Sequence, residues 1–226
     1  MTNNQFPEKY SKNNLLRKNI AKNHHLIKLN KKKPTIYSYY GKRLVDIFLS
    51  IIGIVFALPI IIVIIIAIKL DTSGKAFYRQ ERVGQWGKTF QILKLRSMHK
   101  NADQIGPHYT EKNDSRITRV GFFIRARRLD ELPQLINVLA GNMSMVGPRP
   151  FTLLDTQLNT EVSGFCNRLI VKPGLTGWAQ VNGGNNLSIE EKLQYDLFYI
   201  QHIGFLFDIK IILKTIIVIF SGEGAR

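Results

Sequence analysis

The run Ile47-Phe48-Leu49-Ser50-Ile51-Ile52-Gly53-Ile54-Val55-Phe56-Ala57-Leu58-Pro59-Ile60-Ile61-Ile62-Val63-Ile64-Ile65-Ile66-Ala67-Ile68 decides how the rest of this sequence is read. It is 22 residues without a formal charge. A helix needs about 20 apolar residues to cross a bilayer, so length alone allows a span. Pro59 stands near the middle, where its missing N–H and its ring kink or break a helix. Both flanks are basic: Lys42 and Arg43 before, then Lys69, Lys75, Arg79 and Arg82 after. Basic flanks favour the cytoplasmic side, so both ends ask for the same side. A helix–break–helix that enters one leaflet and returns satisfies both. A kinked spanning helix is the competing reading. Asp46 is expected at headgroup depth beside Arg43 or Lys42.

Upstream, residues 1–43 hold eleven Lys/Arg against one acid, Glu8, in a chain of 226 residues with net charge +16. Such a leader reads as a flexible or surface-associated segment over residues 1–40. The apolar run begins too late for an ordinary secretory signal, so no cleavage is expected. A pI near 10.0 suits anionic partners: nucleic acid, anionic lipid or nucleotide phosphates. Cys166 is the single cysteine, which excludes an intrachain disulfide and a multi-cysteine zinc site. At the far end, Phe205–Phe220 is apolar with Asp208, Lys210 and Lys214. It suits a helix lying in the membrane interface, or a buried core helix.

Downstream of the run, Ala76–Gln80 and Thr89–Arg96 read as short strands joined by the turn-rich Val83–Lys88. Lys94 and Arg96 fall on one face under period-two alternation. Like charges side by side are costly unless an anion sits between them; a solvated strand edge is the alternative. In the segment that follows, Leu132, Leu135, Ile136 and Leu139 mark one helical face. Pro133 is tolerable only in a first turn, so the helix is expected to begin near Asp130, with Asp130, Gln134 and Asn137 on a polar face. Asp130 and Glu131 are adjacent carboxylates beside Arg125, Arg127 and Arg128, a setting that favours bound phosphate. First-turn acids also serve simply to complement the helix dipole. Pro148-Arg149-Pro150 holds Arg149 on a stiff backbone, suited to clamping phosphate oxygens. Val171–Gly184 is a Gly/Pro-rich loop with little room for regular structure, and it is neither a Walker A nor a dinucleotide motif. Ser188 with Glu190 and Glu191 marks a further helix start, and Asp196 lies inside that helix.

Taken in order, these motifs resemble the bacterial sugar transferases, the monotopic polyprenol-phosphate phosphoglycosyl transferases. The resemblance covers roughly residues 40–220. It rests on Lys42-Arg43-Leu44-Val45-Asp46, Pro59, Gln80-Glu81-Arg82-Val83-Gly84, Lys94-Leu95-Arg96-Ser97-Met98, Leu129-Asp130-Glu131-Leu132-Pro133-Gln134, Val146-Gly147-Pro148-Arg149-Pro150 and Lys172-Pro173-Gly174-Leu175-Thr176-Gly177-Trp178. It implies an α/β fold: a small catalytic domain over residues 71–222, on a re-entrant membrane helix over 41–70, with interfacial amphipathic helices. It implies transfer of a sugar-1-phosphate from a UDP-sugar to polyprenol phosphate at the cytoplasmic face of the bacterial inner membrane, priming glycan synthesis. UMP is released, and downstream glycosyltransferases are possible partners. Asp130 becomes the nucleophile, with Mg²⁺ as cofactor held by Glu131 and Asp130. Lys94, Arg96, Arg149, Gln134, Lys172, Thr176 and Gln180 become the candidates for holding substrate. Two stretches depart from the pattern. Arg127 and Arg128 stand where many relatives carry Ser or Thr, and Gly184 stands where many carry Arg. A membrane-tethered nucleic-acid-binding protein is the rival from another class, but the basic residues are dispersed and no reader motif is present.

Overall fold

A computed structural model describes residues 36–102 and 114–221. Of the expected leader, residues 1–35 lie outside the described residues, as does part of the loop after the second strand. A π-helical turn, Tyr37–Gly41, runs into helix α1, Lys42–Asp71, which is 30 residues long. It is long and apolar enough to cross a membrane. The expected break at Pro59 is not an interruption: Pro59 lies inside one continuous helix. A proline deletes a single ladder bond, and the bonding on either side carries the element through.

One stripe of α1 faces the rest of the protein. Asp46, Ser50, Ala57, Ile64 and Ile68 are buried along it. Gly53 comes so close to α3 (Gln134–Leu139) that a Cβ there would lie 3.1 Å from Leu135 Cδ1. The remaining surface, including Phe48, Val55, Phe56 and Val63, is exposed and apolar. Both ends are fastened to the same small domain. At the N-terminal end, Arg43 donates to the carbonyls of Val138 (2.7 Å) and Leu139 (2.8 Å). Asp46 accepts from Ser144 Oγ (3.0 Å) and the Met145 N–H (2.9 Å). Asp46 is therefore a buried anchor to the domain, not a headgroup partner of Arg43. Lys42, the other expected neighbour, acts on Asp46 by its charge while it pairs with Asp208 at 2.7 Å. At the C-terminal end, Ile64 and Ile68 pack with Ala76, Leu95 and Ile124. Asp71 accepts from the Val120 N–H at 3.2 Å.

The domain itself is built from two small sheets and short helices. Strands β1 (Phe77–Val83) and β2 (Thr89–Leu95) form the expected antiparallel hairpin, with Phe77 opposite Leu95 and Val83 opposite Thr89. Helix α2 (Arg119–Ala126), capped by Thr118, leads to a 3₁₀ turn at Leu129–Glu131 and then to α3. The α-helix thus begins after Pro133, later than expected. The chain enters from a left-handed Arg128, and the i→i+3 bonds Arg128 O to Glu131 N and Leu129 O to Leu132 N tighten the turn first. The buried face of α3 mixes polar and apolar residues, Leu135 and Val138 lying beside two amides. Gln134 and Asn137 are buried, while Ile136 and Leu139 are exposed. Asn137 accepts from the Leu93 N–H (3.0 Å) and donates to the Gln91 carbonyl (2.8 Å), gripping the edge of β2.

The Gly/Pro-rich segment is more regular than its composition suggests. Strands β3 (Ser144–Val146) and β4 (Gly174–Thr176) pair in parallel. The approach is so close that a Cβ on Gly174 would lie 2.1 Å from the Gly147 nitrogen. Glycine is needed here for proximity of backbones. Helix α4 (Leu153–Asn159) follows, then a 3₁₀ segment at Phe165–Ile170 that buries Arg168. Helix α5 (Ile189–Gln201) has a full capping box between Ser188 and Glu191. Helix α6 (Phe205–Ser221) buries Asp208 and Ile211 against the core and exposes Leu206, Leu213, Ile216 and Ile217. One face thus packs on the core while the other is apolar and exposed.

Candidate active site

The sharp turn after α2 sets two carboxylates side by side with unlike surroundings. Arg128 takes φ 54°, ψ 22°, and Asp130 and Glu131 follow in the 3₁₀ turn. Both are almost wholly buried. Glu131 is clamped. Lys94 reaches from β2 to its Oε1 at 3.0 Å, and Arg149 spans it with Nη2 on Oε1 at 2.5 Å and Nη1 on Oε2 at 3.3 Å. Burial alone would push its carboxyl up. The charges of Arg149 and Lys94 outweigh that and hold it well below the usual range.

Asp130 accepts no hydrogen bond from any side chain or backbone group among the described residues, although Glu131 beside it takes three. Burial pushes its carboxyl up, Lys94 opposes this, and the charge of Glu131 adds to the rise. An unpartnered, desolvated carboxylate is a stronger nucleophile than a hydrated or hydrogen-bonded one. Arg149 keeps 35% of its side chain exposed while holding Glu131, so it borders both the pair and the opening beside it.

The surroundings carry an excess of positive charge. Lys94, Arg125, Arg128 and Arg149 all act on the two carboxylates. Arg82 is close enough to be repelled by Arg149. Burial and that repulsion lower its guanidinium to about 10, and its Nε has no hydrogen-bond partner among the described residues. Half-buried cations gathered around two carboxylates give the site a positive local field that suits a multiply charged anion.

The scaffold behind Arg149 was not visible in the sequence. Arg168 donates to the Arg149 carbonyl (2.9 Å) and forms a buried ion pair with Asp196 (2.8 Å). Its guanidinium lies over the Phe151 ring at 3.9 Å. An arginine inside the apolar run Phe165–Ile170 was the available signal, because such a residue must find a buried partner.

Of the residues proposed to hold substrate, the structure brings Lys94 and Arg149 to the carboxylates and does not bring Arg96, Lys172 or Thr176 there. Arg96 donates to the Thr72 and Ser73 carbonyls and to Thr72 Oγ1, capping the end of α1. The expected anion seat between Lys94 and Arg96 is thus replaced by separate partners for each cation. Lys172 lies beside Arg43 and Gly141, at the opposite end of α3. Thr176 Oγ1 is 2.6 Å from Thr215 Oγ1 on α6. Gln180 donates to the Leu175 carbonyl (3.0 Å) and steadies the loop after β4. Gln134 is buried in the first turn of α3, with Nε2 unpartnered among the described residues. Cys166 is buried with Val83 and Leu169, and burial pushes its thiol up to about 11, which excludes a thiolate at neutral pH.

The two departures from the family pattern meet in space. A Cβ on Gly184 would point at Arg128 Nη2, 3.8 Å away.

Several proteins are similar to this chain in sequence. An Aeromonas hydrophila protein named UDP-N-acetylgalactosamine-undecaprenyl-phosphate N-acetylgalactosaminephosphotransferase is 40% identical over 196 residues, covering 84% of this chain and 46% of that protein. A Bacillus subtilis protein named putative undecaprenyl-phosphate N-acetylgalactosaminyl 1-phosphate transferase is 51% identical over 129 residues, covering 57% of this chain and 72% of its own length. A Caulobacter vibrioides protein named UDP-glucose:undecaprenyl-phosphate glucose-1-phosphate transferase is 39% identical over 198 residues, covering 85% and 74%. The chain spans about half the length of the Aeromonas protein. Residues 37–222 match the family model described as bacterial sugar transferase, a stretch that includes the hairpin, the carboxylate turn and the Pro148-Arg149-Pro150 clamp. With the match running the length of α1 and the domain it anchors, this chain belongs to the bacterial sugar transferase family.

Proposed function

We propose that the protein transfers a sugar-1-phosphate from a UDP-sugar to a polyprenol phosphate, undecaprenyl phosphate in bacteria, at a membrane surface. The observation that carries this reading is the division between the two carboxylates: Glu131 clamped by Lys94 and Arg149, Asp130 unpartnered beside them. An Asp130 oxygen attacks the phosphorus that bears the sugar. The P–O bond to UMP breaks, and UMP leaves with the electron pair. An oxygen of the lipid phosphate then attacks the phosphosugar-aspartyl group, and Asp130 departs as a carboxylate. Attack by one anion on another is opposed by charge, and the surplus of cations around the turn offsets that repulsion. Arg149, fixed through its carbonyl by Arg168, orients the phosphates. Glu131 keeps Lys94 and Arg149 in place.

Magnesium fits this donor set. Among the described residues no group of three potential protein ligands is present, and Asp130 and Glu131 Oε2 are the carboxylate oxygens with free capacity. Magnesium uses one or two carboxylates plus water and substrate oxygens, unlike zinc or calcium. When bound, it would supply further screening of the diphosphate charge.

Relatives' names divide between N-acetylgalactosamine and glucose, so the donor sugar is left as a UDP-sugar of the hexose class. The product, a polyprenol-diphosphate sugar, is the kind of lipid on which further sugars are added, so the reaction primes a glycan. Membrane insertion from one side is supported by the fastening of both ends of α1 to one domain. With UDP-sugars cytosolic, that side is the cytoplasmic face of the inner membrane. The test is to reconstitute the protein in nanodiscs with Mg²⁺ and undecaprenyl phosphate, supply a panel of UDP-sugars and measure UMP. Release with one hexose donor, and loss on adding EDTA, is expected. No release with any donor would remove this reading.

A further inference from the structure

Arg149 stands on an arm whose flanking residues, Pro148 and Pro150, have no N–H to give to a neighbour. The arm is fastened instead by its oxygens. Four carbonyls in a row each accept a hydrogen bond. The Gly174 N–H reaches Pro148 O at 2.9 Å, and Arg168 Nη2 reaches Arg149 O at 2.9 Å. Arg82 Nη1 reaches Pro150 O at 3.2 Å, and the Val83 N–H reaches Phe151 O at 2.9 Å. The last two donors are neighbours at the end of β1, and they join the arm to the hairpin.

The same hairpin carries Lys94. In its register Lys94 lies opposite Tyr78, and Arg82 lies opposite Phe90. Tyr78, Gln80 and Arg82 alternate onto one face of β1, and paired residues share a face, so Lys94 and Arg82 project from the same side. Lys94 goes to Glu131 and Arg82 goes to the arm. Arg149, on the arm, returns to Glu131. The contacts close a ring that runs from Glu131 through Lys94, the hairpin, Arg82, Pro150 and Arg149 back to Glu131. A two-stranded hairpin has little stability of its own, so its partners decide where it sits. Asn137 ties the middle of β2 to α3. Arg82 ties the end of β1 to the arm.

The guanidinium fork suits this task, because it serves two acceptors at once. Gln80 Oε1 accepts from Arg82 Nη2 at 2.6 Å, which fixes the group's rotation while Nη1 holds Pro150. Arg82 and Arg149 also repel each other, which favours the Arg149 guanidinium on Glu131.

We propose that Arg82 is a positioning residue for the transfer reaction: through the Pro150 carbonyl it sets the spacing between Lys94 and Arg149, the two cations that meet at the carboxylate pair. This rests on the sugar-transfer reading for the identity of the donor.

The experiment is a double-mutant cycle in nanodiscs: wild type, Arg82→Met, Arg149→Ala and the two combined. Met keeps the apolar stem and removes the donors. Donor kcat and KM are read from UMP release, and UDP affinity by calorimetry without turnover, all per folded molecule. Misplacing the clamp is expected to lower donor kcat/KM by about 10–100-fold in Arg82→Met and to weaken UDP binding, with acceptor KM unchanged. Arg82→Lys, which can keep one of the two hydrogen bonds, recovers part of the loss. In the Arg149→Ala background, Arg82→Met costs less than about threefold in either readout, because it acts through Arg149. Equal losses in both backgrounds overturn the proposal, as do losses that simply follow a lower thermal midpoint. Unchanged UDP affinity and kcat/KM in Arg82→Met overturn it as well. The same cycle run with Arg82→Lys decides the matter where the methionine variant does not fold. Wild type that binds UDP but releases no UMP from any UDP-sugar defeats the sugar-transfer reading, while the UDP affinities still decide the role of Arg82.

Discussion

Two buried charge clusters lie either side of Arg149, and they are balanced differently. Behind it, Arg168 and Asp196 form a closed pair, one cation to one acid, both nearly inaccessible and packed against Phe151 and Phe165. In front of it, two carboxylates meet Lys94, Arg125, Arg128 and Arg149, and the hydrogen bonds fall on one carboxylate alone. The closed pair holds the backbone of Arg149 in place. The open cluster leaves one carboxylate without a hydrogen bond among the described residues. Where buried charge cancels, it specifies structure; where it is left over, it awaits a charged reactant.

The contrast is broken most severely at Asp130. Asp130→Asn keeps the shape and removes the nucleophile, so UMP release is expected to fall by about 10³-fold or more. The carboxyl of Asp130 is raised on folding, so its ionised form costs stability at neutral pH. The same variant should therefore hold or raise the thermal midpoint, by about 2–4 °C for each kcal/mol relieved. Asp196→Ala should do the reverse. Stranding Arg168 in the core is expected to cost about 3–5 kcal/mol, read as a lower denaturation midpoint. Turnover per folded molecule should stay within about tenfold of wild type, because Asp196 touches no reacting atom. Variants that lose activity and stability together at both positions would erase the distinction.

A finer test is the pH profile. The nucleophile must be ionised, so donor kcat/KM falls as pH drops through the raised pKa of Asp130. That rise comes first from burial, then in part from Glu131. Glu131→Gln removes the like charge and frees Lys94 and Arg149 to act on Asp130. The acid limb should move to lower pH, on a lower overall rate. Loss of the limb altogether would mean that Glu131, and not Asp130, carries it.

Much of this was legible in the chain itself. The uncharged run announced α1, because nothing else in a soluble domain needs 22 such residues together. The hairpin followed from alternation bounded by Gly84 and Gly87, and the carboxylate pair from its setting among arginines. Periodicity told which residues of α3 share a face, but not what each face meets. Asn137 is spent on the backbone of β2, and Ile136 and Leu139 are left outside. Alternation likewise put Lys94 and Arg96 on one face without showing that their long side chains reach Glu131 and the end of α1. Strand β4 was hidden by the glycines that make its pairing possible. Arg168 and Asp196 are 28 residues apart, and only the fold reveals them as partners.

The central claim is that Asp130 carries the phosphosugar. Purified protein in nanodiscs, given Mg²⁺ and the active UDP-sugar but no lipid phosphate, should release UMP in a burst no larger than the enzyme concentration. Intact-protein mass spectrometry should show a hexose-phosphate adduct that maps to the peptide containing Asp130, is absent in Asp130→Asn, and disappears when undecaprenyl phosphate is added. UMP formed only in the presence of the lipid, with no adduct at any time, would contradict the account.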